Sequence, residues 1–265
     1  MNKLLNDVVL GSDPELFITD IQGKFIPAWN VLEGSKVNPK PLGDGYFIQI
    51  DNALGEFNVP PASSKLEFIA NIKEGLKRSS KELPDGYVFK IATSHNFTKE
   101  QLDHYMASQF GCESDRSAAR MGAYNPKPKP PKDGLRCAGG HIHVGYKGDP
   151  DDKQLNDINI VKWMDILLGV PSMKLDKDKL RRRLYGKAGA YREKKYGVEY
   201  RTLSSFWLGS DELVGWVYDQ TMKAVDRVNE KESLEEEDGK LVQLAINKSD
   251  EKAIDYLCEK YNLAV

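Results

Sequence analysis

GGHIHVGY (residues 139–146) alternates polar and apolar side chains, placing His141 and His143 two residues apart with glycines on both flanks. In a β-strand, residues i and i+2 share a face. The segment therefore reads as a strand with both imidazoles on one side and Ile142 and Val144 on the other. Three further stretches follow the same plan: Asp13-Pro14-Glu15, Glu56-Phe57-Asn58 and Glu199-Tyr200-Arg201. As strands of one sheet, the four would give it one apolar face and one face of carboxylates, imidazoles and a guanidinium. An ordinary wet sheet face carries mixed Lys, Thr and Glu. This one would carry metal-ligand and phosphate-ligand chemistry, as an active site spread over a sheet does.

Working outward, residues 7–19 read as a strand, a turn at Gly11-Ser12-Asp13-Pro14 and a second strand. Residues 20–45, rich in Gly, Pro and Asn, predict a hairpin and a long loop. FIQID (47–51) and EFNV (56–59) have hairpin spacing. Pro60-Pro61-Ala62-Ser63-Ser64 is expected to stop the strand and cap a helix over 64–82, with Leu66, Ile69, Ala70, Ile72 and Leu76 as its apolar stripe. YVFKIAT (87–93) predicts a strand and 98–108 a short helix. Residues 111–137 are irregular, with a Lys-Pro run (127–132) that favours extended loop and could form a lid. Helices are expected over 153–169 and 176–185, a strand over 196–205, and helices over 210–229, 235–247 and 250–261. The order is not the βαβα alternation of a parallel sheet. It predicts an α+β fold, a mostly antiparallel sheet with helices packed on one face and a helical C-terminus. Residues 1–265 are expected to form a single catalytic domain, its core over about 8–210 and a helical segment over about 210–265.

The chain has 265 residues, 40% hydrophobic and 29% charged, with a net charge of −2. That balance gives no electrostatic case for nucleic acid or an anionic membrane. No apolar run approaches ~20 residues, and the N-terminus lacks the form of a signal peptide. Three cysteines, Cys112, Cys137 and Cys258, without a CxxC pair, argue against a disulfide framework or a cysteine zinc site and for a reducing cytoplasm. P-loop, GxGxxG, HExxH and GxSxG motifs are absent.

Glu15, Glu56 and Glu199 each sit in a strand-like context. A carboxylate held on a sheet interior needs a partner or a metal. Hard oxygen ligands suit Mg²⁺ or Mn²⁺. Zinc is the rival at the histidine pair, but no further Cys or His presents itself as a third ligand. Within the Arg-dense stretch 180–201, Arg201 shares a strand face with Glu199 and suits bidentate phosphate or carboxylate binding. Arg192 and one of Arg182 and Arg183 are weaker candidates, and Lys194 and Lys195 read as solvated helix. The acidic run 235–238 reads as a solvated first helical turn.

GSDPELF (11–17), EFNVPPASS (56–64), RCAGGHIHVGY (136–146) and YGKAGAYREKKYGVEYRTLSSFW (185–207), in this order, resemble the phage-type carboxylate–amine ligases, type 2, a branch of the glutamine synthetase and glutamate–cysteine ligase superfamily. The resemblance spans about residues 8–210. It implies a curved antiparallel sheet like the glutamine synthetase catalytic domain, whose concave face binds ATP and divalent metal. The family's first-strand motif is often E-x-E, where this chain has Asp13-x-Glu15. Asn58 replaces a second carboxylate beside Glu56, and Asp51, from its place at a strand end, is a candidate for a further one. The implied metal ligands are Glu15, Glu56, His141 and Glu199, with ATP and Mg²⁺ (or Mn²⁺) as cofactors. Arg201, Arg192 or Arg182 would stabilise the transferring phosphoryl group, and His143 would orient nucleotide or substrate. The implied reaction forms an amide through an acyl phosphate, from small-molecule or peptide carboxylate and amine substrates, in the host cytoplasm if the gene is a phage's. A metal-dependent hydrolase, a catalytically inactive binding relative and, more distantly, phosphoryl transfer to nitrogen are the alternatives.

Overall fold

Eight of the fourteen strands among the described residues precede the central loop region: β1 (Asn6–Ser12), β2 (Glu15–Asp20), β3 (Phe25–Ile26), β4 (Lys40–Gly43), β5 (Tyr46–Asp51), β6 (Leu54–Ala62), β7 (Tyr87–Lys90) and β8 (Ser94–Asn96). The others are β9 (Arg116–Ser117), β10 (Ala123–Tyr124), β11 (Leu135–Cys137), β12 (Ile142–Lys147), β13 (Ala190–Lys194) and β14 (Gly197–Tyr200). Six helices accompany them: α1 (Lys65–Ser80), α2 (Lys153–Met164), α3 (Val170–Leu175), α4 (Asp211–Asn229), α5 (Glu236–Lys248) and α6 (Glu251–Lys260). This is a computed structural model, describing residues 4–108, 114–129 and 131–263; Cys112 and Pro130 lie outside them.

The large sheet runs β10-β9-β13-β14-β12-β1-β6-β2-β3, with β5 also on β6, β4 on β5 and β7 on β2. Every pairing between these strands is antiparallel. β8 and β11 form a separate pair. On one face of the large sheet, Leu10, Phe57, Ile142, Val144, Val198 and Tyr200 are buried in a common core with Phe68 and Ile72 of α1, Val161 of α2 and Val214 and Val217 of α4. The α+β expectation holds in this form, an antiparallel sheet with helices on its apolar face.

Several boundaries differ from expectation for local reasons. β6 does not stop at Pro60 but runs on to Ala62. Its pairing with β5 has ended at Asn58, and its pairing with β1 is irregular across Pro60-Pro61; a free edge and a bulge are the settings in which a strand tolerates proline. Between Ser12↔Val59 and Leu10↔Ala62 the register shifts as β6 spends an extra residue. Ser64 caps α1 through its side chain as expected, but the buried stripe is Phe68, Ile72, Gly75 and Ser79, and Leu66 is exposed. The expected 176–185 helix is only a 3-10 turn at Leu180–Arg183, and 98–108 holds one at Tyr105–Ser108. Lys194 lies on β13, not on a solvated helix. Asp238 in the acidic run is buried, bonded by Lys260 and Tyr261. Cys137 and Cys258 are buried and free.

The 153–169 helix is α2 followed by a π-helical turn, Asp165–Gly169, that leads into α3. Asp165 is buried under the sheet, where its Oδ1 accepts from Tyr200 Oη at 2.8 Å and Thr202 Oγ1 at 3.2 Å. Burial pushes its carboxyl up to about 7, from an ordinary 3.8. The folded state therefore holds this proton more tightly than the unfolded state. Its contribution to stability falls as pH rises from about 4 to about 7 and is level above that. Urea melts at pH 5 and pH 8 should show a smaller loss of stability between the two in Asp165→Asn than in the wild type.

Candidate functional site

The polar face is assembled by cross-strand register. Glu15 of β2 lies opposite Glu56 of β6, which lies opposite Gln49 of β5. His143 of β12 lies opposite Glu199 of β14 and Gly11 of β1, and Glu199 lies opposite Arg192 of β13. Residues directly opposite in an antiparallel pair point to the same side. The structure thus brings together Glu15, Glu56, His141, His143, Arg192, Glu199 and Arg201 on one face. Arg182 is placed elsewhere. Its guanidinium donates to Thr202 O at 3.2 Å and reaches Met173 Sδ at 3.5 Å, on the helical side, and it lines neither cavity of the polar face.

The face holds two acidic groups. In the first, ligand atoms of Glu15, Asp51 and Glu56 lie within 4.8 Å of one another. Lys36 Nζ stands 2.6 Å from Asp51, and Gln49 Nε2 donates to Glu56 at 2.8 Å. Burial, then the neighbouring Asp51, push Glu15 up to about 7 against the Gly139 N–H, which donates to its Oε2 at 2.6 Å. Burial, with Asp13, Asp51 and Glu15 around it, holds Glu56 well above the usual carboxylate range. Burial works most strongly to raise Asp51, but Lys36 with the hydrogen bonds from Glu15 and Glu56 together hold this carboxyl down.

In the second group, Asp13, His141 and Glu199 likewise lie within 4.8 Å. Asp13 Oδ1 sits between the two imidazoles, 3.0 Å from His143 Nε2 and 3.3 Å from His141 Nδ1. Asp13 and Glu15, two residues apart, thus serve different groups. Glu199 is fully buried; it accepts from Arg201, and Lys194 Nζ is 2.6 Å from its Oε2. Burial alone would raise Glu199, but Arg201, with His143 and His141, holds it well below the usual range. Burial and then Arg201 push His141 down to about 4, leaving a neutral imidazole at neutral pH. Burial works most strongly to lower His143 as well, but Asp13 and Glu199 together raise the imidazole.

The two groups meet at Gly139. Its N–H and C=O both bond to Glu15, and a Cβ there would stand 2.2 Å from His141 Nε2. Only glycine lets the imidazole lie over this turn. At the Glu15 end the cavity is lined by Arg136, Arg181, Arg192 and Arg201. Arg181, 1% exposed, donates to the carbonyls of Ala138, Thr202 and Arg201, tying the His141 turn to the end of β14. Asp115, from the irregular 111–137 stretch, lies 2.8 Å from Arg201 Nε.

Lys36, Gln49, Asp115, Arg136 and Arg181 escaped the sequence reading. Gln49 was readable: a turn centred between Asn52 and Ala53 places it opposite Glu56. Lys36, Asp115 and Arg136 arrive from loops or the short β11, with no periodic signal.

The donor set fits a hard divalent cation at Glu15, Asp51 and Glu56. It is all oxygen, Glu15 and Glu56 are buried, and burial with the neighbouring carboxylates holds these two above their ordinary range. The second group mixes carboxylate with neutral imidazole and carries its own cations. Residues 132–261 match the model of the family described as Phage phiEco32-like COOH.NH2 ligase-type 2. The matched stretch includes His141, His143, Arg192, Glu199 and Arg201, while Asp13, Glu15, Asp51 and Glu56 precede it. No curated protein matches the chain. No helix is long and apolar enough to cross a membrane among the described residues.

Mg²⁺ or Mn²⁺ at about a hundred times its dissociation constant should raise the melting temperature by roughly 5–10 °C. The shift should be largely lost in Glu56→Gln, as followed by thermal denaturation with and without chelator.

Proposed function

We propose, from the membership of residues 132–261 in the COOH.NH2 ligase-type 2 family, that the chain is an enzyme that joins a carboxylate to an amine at the expense of ATP. A carboxylate resists attack because oxide is a poor leaving group. Transfer of the terminal phosphoryl group of ATP to the carboxylate oxygen gives an acyl phosphate and ADP. The amine then forms the C–N bond, the C–O bond breaks, phosphate leaves, and the amine gives up a proton. The single observation that carries this reading is the division of one sheet face into clustered carboxylates at Glu15, Asp51 and Glu56 and an adjoining set of guanidiniums.

In this reading Arg192 and Arg201 bind the oxygens of the transferring phosphoryl group, where charge accumulates. Asp115 and Glu199 hold the Arg201 guanidinium from two sides, so its direction is set before substrate arrives. Arg181 fixes the backbone of Arg201 itself. His143, held by Asp13 and by Tyr196 Oη at 2.5 Å, orients the organic substrate or nucleotide beside them. Glu15, Asp51 and Glu56 would hold Mg²⁺ or Mn²⁺, while His141 and Glu199 stay in the second group, where Arg201 and Lys194 already meet Glu199. The cation, when bound, neutralises phosphate oxygens. The likeness of the sheet to the glutamine synthetase catalytic domain belongs to the same proposal.

Incubation with Mg-ATP and pooled carboxylates and amines should yield ADP, phosphate and a new amide detectable by mass spectrometry. Glu56→Gln and Arg201→Lys should each reduce turnover roughly 10²–10³-fold with circular dichroism unchanged. Wild-type turnover in both variants would move the reaction away from this face, and bond cleavage without nucleotide would mark a hydrolase instead.

A further inference from the structure

Beyond His143 the polar face changes character. A cavity of ≈ 400 Å³ opens over β1, floored by Gly11 and Gly145 and bounded by Val9, Pro61 and Tyr196. No Asp, Glu, Lys or Arg lines it. The Tyr196 ring, half exposed, lies nearly parallel to the His143 ring at 19° and is tethered to it through the hydroxyl. The cavity therefore begins where the Asp13–His143 pair ends.

Gly11 is the informative residue. It sits inside β1 between two partner strands, where glycine weakens a sheet. A Cβ there would meet only His143 Cβ at 3.7 Å and Val59 O at 3.9 Å, ordinary contacts. Neither a turn nor a steric limit of the fold calls for glycine. What its missing side chain provides is open space on the cavity floor, the close approach that a glycine in a strand allows to a ligand. The Pro60-Pro61 register shift in β6 puts Pro61 at the cavity's edge.

Charge decides what the space suits. Arg136 and Arg181 lie at the opposite, Glu15 end, with Arg192 and Arg201 between that end and the acidic centre, and the four guanidiniums suit a triphosphate there. A largely apolar trough, with His143 at its acidic end and no carboxylate, ammonium or guanidinium in its lining, suits neither phosphate nor a charged side group. We propose that it seats the nonpolar side group of the organic substrate, carboxylate or amine, with the reacting group directed past His143 toward the acidic centre. The word substrate rests on the ligase reading; the trough as a nonpolar subsite rests on its own lining.

Calorimetric titration of the full chain, with Mg²⁺ and a non-hydrolysable ATP analogue, tests this with two probe pairs: N-acetylphenylalanine against N-acetylglycine, and phenylalaninamide against glycinamide. In at least one pair the phenylalanine probe should bind roughly ten-fold or more tightly than its glycine counterpart. The pair that shows it identifies the carboxylate or the amine as the occupant. Gly11→Leu, which fills the floor, should erase the difference while the nucleotide analogue binds within about two-fold of wild type. Gly11→Ala should give an intermediate loss, and it covers the case in which the leucine variant is unstable. A preference unchanged in both variants, no preference in either pair, or loss of nucleotide affinity with the preference intact would each overturn the proposal. A wild type that keeps the preference but binds no nucleotide analogue would refute the ligase reading and leave the trough standing.

Discussion

Antiparallel register is the constraint on which this site depends. Glu15 meets Glu56, and His143 meets Glu199, because those residues are direct cross-strand partners. A slip of one residue in any strand would turn its polar side chains into the helix-packed core and its Ile, Val or Leu outward. The cost of that exchange is large, since the core face holds Leu10, Ile142, Val144, Val198 and Tyr200 against α1, α2 and α4. The apolar face thus maintains the alignment of the polar one. Packing on one side of the sheet is what makes chemistry on the other side precise in position.

Having gathered so many carboxylates, the protein treats its two acidic groups differently. Asp13 and Glu199 are met by His143, Arg201 and Lys194, and both carboxyls are held down despite burial. Glu15 and Glu56 are left with burial and mutual repulsion, which raise them, and Lys36 sides mainly with Asp51. One group is neutralised from within and is therefore rigid. The other is short of positive charge and suits a cation from outside. Arg136 and Arg181 stand at the Glu15 end, Arg192 and Arg201 reach the acidic centre, and the trough over Gly11 has no carboxylate, ammonium or guanidinium in its lining.

Loops complete what the strands begin. Asp115 and Lys36 come from irregular chain and carry no repeating pattern, yet each sits within ion-pair distance of a site residue. Arg181, buried and bonded to three carbonyls, acts on the site through the backbone of its neighbours. Such residues orient the groups that touch a ligand, and positioning of this kind is worth as much to a site as the ligands themselves.

Period-two patterning was enough to identify the polar face and most of its members, because alternation in a strand is a local property that the neighbouring sheet does not alter. His141, His143, Glu199, Arg201, Glu15 and Glu56 were legible for that reason, and so were the three C-terminal helices, whose apolar stripes are equally local. Alternation could not say that Asp13 and Glu15 serve different groups, because Pro14 separates two strands that share β6 but of which only β1 also pairs with β12. Nor could it separate Arg181 from Arg182, adjacent in a 3-10 turn but directed to the cavity and to the helical side. Those assignments, with Lys36, Asp115 and the open floor at Gly11, depend on which distant segments come within a few ångströms, and tertiary packing alone decides that.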